Sequence, residues 1–107
     1  MSPITTHVLD TARGSPAAGI GVTLEYRSAG KWSRIGSGVT DSDGRVPDLL
    51  PGDAILKPGE YRITFATAAY STFYPSVEVS FVIEDPSQHY HIPLLLSPFG
   101  YSTYRGS

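Results

Sequence analysis

Three histidines and one arginine carry most of the chemistry open to this chain, because its 107 residues include no cysteine. That absence removes disulfides, thiolate metal ligands and a cysteine nucleophile together, and suits a reducing compartment. Histidine as a residue type has a reference pKa of about 6.5, so His7, His89 and His91 are the candidates to take or give a proton near neutrality. Arg45 follows a glycine in "DSDGR"; it is either a plain loop charge or a fixed planar cation for a carbonyl oxygen or an anionic ring. "HYH" sets His89 and His91 on one face of a strand about 7 Å apart, which is also the geometry of a metal pair. Zinc would need a third ligand, and His7 qualifies only if the first strand lies alongside. Asp41 and Asp43 read as turn formers rather than catalytic carboxylates. There is no Ser/His/Asp order, phosphate loop or zinc-protease helix in the sequence.

These side chains must be placed by strands. The 11 glycines and 9 prolines fall between short runs of Val, Ile, Thr, Tyr and Phe, the punctuation of strands and turns. "ITTHVL" alternates Ile4, Thr6 and Val8 against Thr5, His7 and Leu9. "IGVTLEY" sets Ile20, Val22, Leu24 and Tyr26 on one face. "YRITFA" and "SVEVSFVIE" do the same with Tyr61, Ile63, Phe65 and with Val77, Val79, Phe81, Ile83. "HYHIPLLL" points Tyr90, Ile92, Leu94 and Leu96 one way and His89, His91, Pro93 and Leu95 the other. "KWSRIGSGVT" is a strand with glycine irregularities, the proline-bounded "LLPGDAILKPGE" holds a short strand near Leu49, and "GYSTYR" is the final strand. "TAAYST" is the one helical stretch, too short to persist without packing. Seven or eight short strands with turns between them predict an all-β, two-sheet antiparallel sandwich with one short helix, in one domain spanning 1–107.

On that scaffold all three histidines face away from the core. Taken singly, an outward histidine is an ordinary solvated side chain. The functional alternative is that they line a site formed where an outer face packs against another subunit.

Composition narrows the partners. A formal charge of −2 with both signs scattered offers no basic stripe for a phosphate backbone, which excludes nucleic acid. Apolar runs such as 92–96 are far shorter than the ~20 residues of a membrane span, and the start "MSPITTHVLD" lacks a signal peptide's charged and apolar regions. The expected location is the cytoplasm, or the periplasm if a leader has been removed.

"THVLDTARGSPAAGI", "TDSDGR" and "HYHIPLLLSPFGYSTYRGS" resemble, in order and spacing, the transthyretin-like 5-hydroxyisourate hydrolases over essentially the whole chain. The "YRGS" ending is the most specific part, since the hormone-carrying transthyretins share "LLSPxxYST" and then diverge. The resemblance implies an eight-stranded sandwich assembled as a homotetramer, a dimer of dimers around a central channel that the outward histidines line. It implies hydrolysis of 5-hydroxyisourate to 2-oxo-4-hydroxy-4-carboxy-5-ureidoimidazoline, with no metal or organic cofactor. Its site residues carry over onto His7, Arg45 and His91 as catalytic groups, and onto Tyr104, Arg105, Gly106 and Ser107 as the substrate-binding terminal segment.

Amide hydrolysis needs an activated water, a stabilised oxyanion and a proton for the leaving nitrogen. His7 is the favoured base and His91 the group that orients the water or protonates the nitrogen, with the roles exchangeable. Arg45 offsets the developing charge, Tyr104 walls the pocket, and Ser107 brings a hydroxyl and the chain's terminal carboxylate. Two other functions fit the same sandwich: a carrier of small aromatic ligands, as in the transthyretin branch, and a plain interaction module, for which convergence of His7, Arg45, His91 and the terminus is not required.

Overall fold

The alternation in "ITTHVLD" becomes strand β1 (Ile4–Asp10), whose even-numbered residues are buried and whose odd-numbered ones, His7 among them, are half-buried on the opposite face. A computed structural model of the chain describes residues 2–106. The remaining strands are β2 (Ser15–Pro16), β3 (Gly21–Ser28), β4 (Lys31–Val39), β5 (Gly59–Phe65), β6 (Val77–Ile83), β7 (Tyr90–Ser97) and β8 (Gly100–Thr103). They form two four-stranded sheets, ordered β2-β1-β7-β8 and β4-β3-β5-β6.

The core lies between the sheets. Ile4, Val8, Leu94 and Leu96 from one sheet meet Val22, Leu24, Tyr61, Ile63 and Phe65 from the other, all almost fully buried. Each aliphatic or Phe side chain removed from water in this way contributes about 1.5–3 kcal/mol toward offsetting the entropy of ordering the chain. The Tyr61 hydroxyl is satisfied inside by donating to the Lys57 carbonyl at 2.6 Å and accepting from the Lys57 N–H at 3.0 Å. The irregularity expected in "KWSRIGSGVT" is a bulge: the β3–β4 register pairs Leu24 with Gly36 and Glu25 with Arg34, passing over Ile35.

Three expectations are corrected and one strand is added. The sandwich is not wholly antiparallel, because β1 and β7 pair in parallel, Ile4 opposite Tyr90 through Asp10 opposite Leu96. "TAAYST" is a turn rather than a helix. Thr67 accepts from the N–H groups of both Tyr70 and Ser71 at 2.9 Å, and the side chains then take over: the Ser71 hydroxyl accepts from the Tyr74 N–H and donates to the Pro98 carbonyl. With one turn closed and Pro75 following, no helix propagates. The segment near Leu49 forms turns and bends, its Leu49 and Leu50 plugging the core without pairing in a sheet. Finally, "GSP" supplies the two-residue edge strand β2, too short for periodicity to reveal.

One proline shapes the end of the chain. β7 lies between β1 and β8, and Pro93 sits within it. The register pairs Leu94 with Thr103, so the next positions along, Pro93 and Tyr104, face each other. Pro93 has no N–H to donate. Pairing lapses there, and the Pro93 carbonyl is instead satisfied by the Thr103 hydroxyl at 2.7 Å. The tail re-engages at Gly106, whose N–H donates to the His91 carbonyl at 2.8 Å.

Candidate active site

Arg45 is fixed by the turn that precedes it. The Asp41 carboxylate accepts from the N–H groups of Asp43 at 2.9 Å and Arg45 at 3.1 Å, while the Gly44 N–H donates to the Asp41 carbonyl at 2.9 Å. Asp41 is therefore the turn former that its place in "TDSDGR" suggests. Gly44 adopts φ +76° and is buried. Its carbonyl accepts from the Val8 N–H at 2.8 Å, which ties the turn to β1 and makes His7 and Arg45 antiparallel bridge partners.

His91 comes from β7, next to β1 and opposite Thr5 in the parallel register. The Thr5 hydroxyl lies 2.8 Å from Nδ1 of His91 and 3.0 Å from Nε2 of His89. The two histidines of "HYH" thus share a face, as strand geometry requires, and meet at one oxygen. Among the described residues no cluster of three or more His, Cys, Asp or Glu side chains is close enough to hold a metal ion.

These groups open into a cleft of about 610 Å³. Thr5, Thr6, Arg45, His89 and His91 form its polar side, Val46 and Pro47 one apolar flank, and Tyr104 and Gly106 the wall contributed by the tail. Among the described residues no carboxylate lines it, and they present a cation, two imidazoles and hydroxyls to whatever enters. His91 titrates below the ordinary histidine value of 6.5, first because it is partly buried and then because Arg45, His7 and His89 oppose a further positive charge. At neutral pH its ring is accordingly neutral, with a lone pair on one nitrogen and a proton on the other.

The structure brings Arg45, His91, Tyr104 and Gly106 together around one space. His7 flanks that space without lining it within a single chain, close enough for its charge to act on His91. Arg105 points elsewhere: its guanidinium donates to the Gln88 side chain at 2.7 Å and stacks 4.4 Å over the Tyr90 ring, clamping the tail from outside. Ser107 lies outside the described residues. The residue that sequence reading passed over is Thr5; its place two positions before His7 on the outward face of β1 is the signal that would have found it.

A two-sheet sandwich with a histidine and arginine cleft at a parallel strand pair defines the class, and the relatives define it further. The chain belongs to the HIUase/Transthyretin family, whose model matches residues 4–106. It is 48% identical over 120 residues to the uric acid degradation bifunctional protein TTL of Arabidopsis thaliana, covering 98% of this chain but 37% of that protein. This chain therefore spans little more than a third of that relative. The 5-hydroxyisourate hydrolase of Mus musculus is 47% identical over 114 residues, covering 99% of this chain and 96% of its own. Among solved structures, sea bream transthyretin in complex with thyroxine matches with a TM-score of 0.89 at 34% identity, over 98% of this chain and 95% of that one.

Proposed function

We propose that the chain is a 5-hydroxyisourate hydrolase, opening the six-membered ring at an amide bond to give 2-oxo-4-hydroxy-4-carboxy-5-ureidoimidazoline. The observation that carries this is the meeting of Arg45, His91, Tyr104 and Gly106 around one cleft, with His7 bridged to Arg45 beside it. The Mus musculus relative that matches over almost its whole length bears the same activity in its name.

In this scheme His7 takes a proton from the attacking water. Arg45, cationic at any ordinary pH, binds the substrate's carbonyl oxygens and offsets the oxyanion charge as the tetrahedral intermediate forms. His91 delivers a proton to the departing ring nitrogen. Tyr104 covers the ring and offers its hydroxyl, the Gly106 backbone brings the tail against His91, and Arg105 keeps the tail seated. Ser107 completes the segment by extension of the same pattern. No step calls for a metal or an organic cofactor.

The active form in this proposal is a homotetramer, a dimer of dimers, placed in the cytoplasm. β6 and β8 are free edges that expose Val82 and Tyr101, and an apolar Phe99 lies beside β8. Pairing such edges with a second copy removes an aggregation hazard, and packing of outer faces would bring His7 to a shared channel. Among the described residues no helix is long and apolar enough to cross a membrane.

A carrier function is the second reading, since a transthyretin solved with thyroxine has nearly the same fold. The cleft's histidine and arginine lining suits an oxygen-rich polar ring better than an apolar one. The two functions separate in one test: freshly generated 5-hydroxyisourate decays faster with the protein if it is a hydrolase, whereas micromolar thyroxine binding without hydrolysis favours the carrier.

A further inference from the structure

Thr5 holds two histidines with one proton. Its oxygen is within hydrogen-bond reach of Nδ1 of His91 and Nε2 of His89, at 2.8 and 3.0 Å. A hydroxyl donates only one hydrogen bond and accepts up to two, so both rings cannot accept from it; at least one ring donates to the oxygen, and when the other accepts, the three groups form a directed row. In that arrangement the proton order runs in one direction along the chain His89–Thr5–His91 or in the other. His91 is half-buried in the cleft, while His89 is exposed. Both line the cleft, so the row runs from its half-buried side to its solvent-exposed side.

We propose that Thr5 and His89 form a proton relay behind His91, exchanging protons between the cleft and bulk water and setting which His91 nitrogen carries a proton. This rests on the hydrolase assignment and extends it to two residues outside the carried-over set.

The balance of the step is simple. With His89 donating from Nε2 to Thr5 and Thr5 donating to Nδ1 of His91, the His91 proton sits on Nε2. When that proton passes to the leaving nitrogen, the Thr5 proton moves to Nδ1, the His89 Nε2 proton moves to Thr5, and Nδ1 of His89 takes one from water. One solvent proton enters, one proton reaches the leaving nitrogen, and no ring becomes an anion. The reverse passage restores the starting order when Nε2 of His91 next takes up a proton from the cleft.

The relay answers a difficulty of the site. Burial, together with Arg45, His7 and His89, keeps the His91 ring neutral. A neutral imidazole is a very poor acid unless a proton arrives at one nitrogen as another leaves the second. Among the described residues the other titratable group near the ring is Tyr104, across the cleft, while Arg105 is engaged with Gln88 and Tyr90. Among the described residues, Thr5 is the group hydrogen-bonded to Nδ1 of His91.

The test compares three variants of the full chain with the wild type across pH on freshly generated 5-hydroxyisourate. Thr5→Val keeps the shape and β-branching but removes the hydroxyl; kcat at neutral pH should fall at least tenfold with KM within about twofold, and the pH profile should change shape. Thr5→Ser should recover most of the rate. His89→Gln retains hydrogen bonding but carries no mobile proton, and its lost rate should return with added imidazole, which leaves the wild type unaffected. An active wild type with unchanged kcat and pH profile in Thr5→Val, or with His89→Gln fully active or indifferent to imidazole, overturns the relay alone. Should Thr5→Val fail to fold, the exposed His89→Gln variant decides by its imidazole response. A wild type that does not accelerate the decay overturns the hydrolase assignment and the relay with it.

Discussion

His7 and Arg45 are bridge partners whose spacing is set by backbone, with the Val8 N–H donating to the Gly44 carbonyl at 2.8 Å. The proposed base and the proposed cation are thus held by a contact in which neither side chain takes part. Arg45 keeps its position only as long as the turn at Gly44 keeps its form.

Gly44→Ala tests that dependence. The residue has φ +76°, and an added Cβ would collide with the Val8 carbonyl and press on Pro16. A strained backbone of this kind costs about 1–3 kcal/mol, and relief requires the turn to leave β1. Denaturant unfolding should register a loss of that order, and turnover should fall at least tenfold. A variant with wild-type turnover would show that the bridge does not position the site.

Gly106 lies against His91 at the other side of the cleft. A Cβ there would stand 2.6 Å from Cδ2 of the His91 ring and 3.3 Å from Cγ of Pro93. Gly106→Ala should therefore displace the ring or lift the tail, lowering kcat several-fold or more while global stability changes by less than about 1 kcal/mol, since the tail adds little buried surface. Steady-state kinetics beside thermal unfolding distinguishes this from general destabilisation.

Arg45→Gln removes one of the charges that hold His91 below its ordinary value. The His91 ring should then titrate higher, closer to 6.5, in a histidine NMR titration. The sign carries over to stability. Because His91 binds its proton less readily when folded than when unfolded, its contribution is present above about pH 6.5 and is lost as pH falls through the folded value. Arg45→Gln should lessen that acid sensitivity while abolishing most turnover.

Deleting residues 104–107 should leave the sandwich intact, because all of its named strands end by Thr103. Activity should drop at least tenfold. Arg105→Ala, which loses the Gln88 hydrogen bond and a cation–π contact worth about 0.5–1 kcal/mol, should give a milder version of the same defect, visible as a raised KM.

Much of this was legible in the chain. The alternation of Ile4, Thr6 and Val8 against Thr5 and His7, and of Tyr90 and Ile92 against His91, placed the histidines on outer faces, where the structure has them. "TDSDGR" revealed its turn because an Asp side chain capping its own backbone and a left-handed glycine are local properties. The parallel alignment of β1 with β7 was not legible, since nothing within either strand encodes which distant strand lies beside it or in what direction. The Thr5 bridge depends on that alignment, and so does the closeness of His7 to His91. "TAAYST" misled because Thr67 and Ser71 bond to the carbonyls of Tyr74 and Pro98, partners outside the segment that local propensity does not register. Arg105 was placed with the site by motif alone, whereas its orientation follows from Gln88 and Tyr90 in the preceding segment.

The most direct measurement generates 5-hydroxyisourate with urate oxidase and follows its ultraviolet absorbance with wild type, His7→Ala, His91→Ala and Arg45→Glu proteins at matched assembly state. The wild type should accelerate the decay well beyond the spontaneous rate, the histidine variants should lose about 10²- to 10⁴-fold, and Arg45→Glu should lose turnover while still assembling. Decay at the spontaneous rate with wild-type protein, or variants that all turn over normally, would contradict a hydrolase built on this cleft.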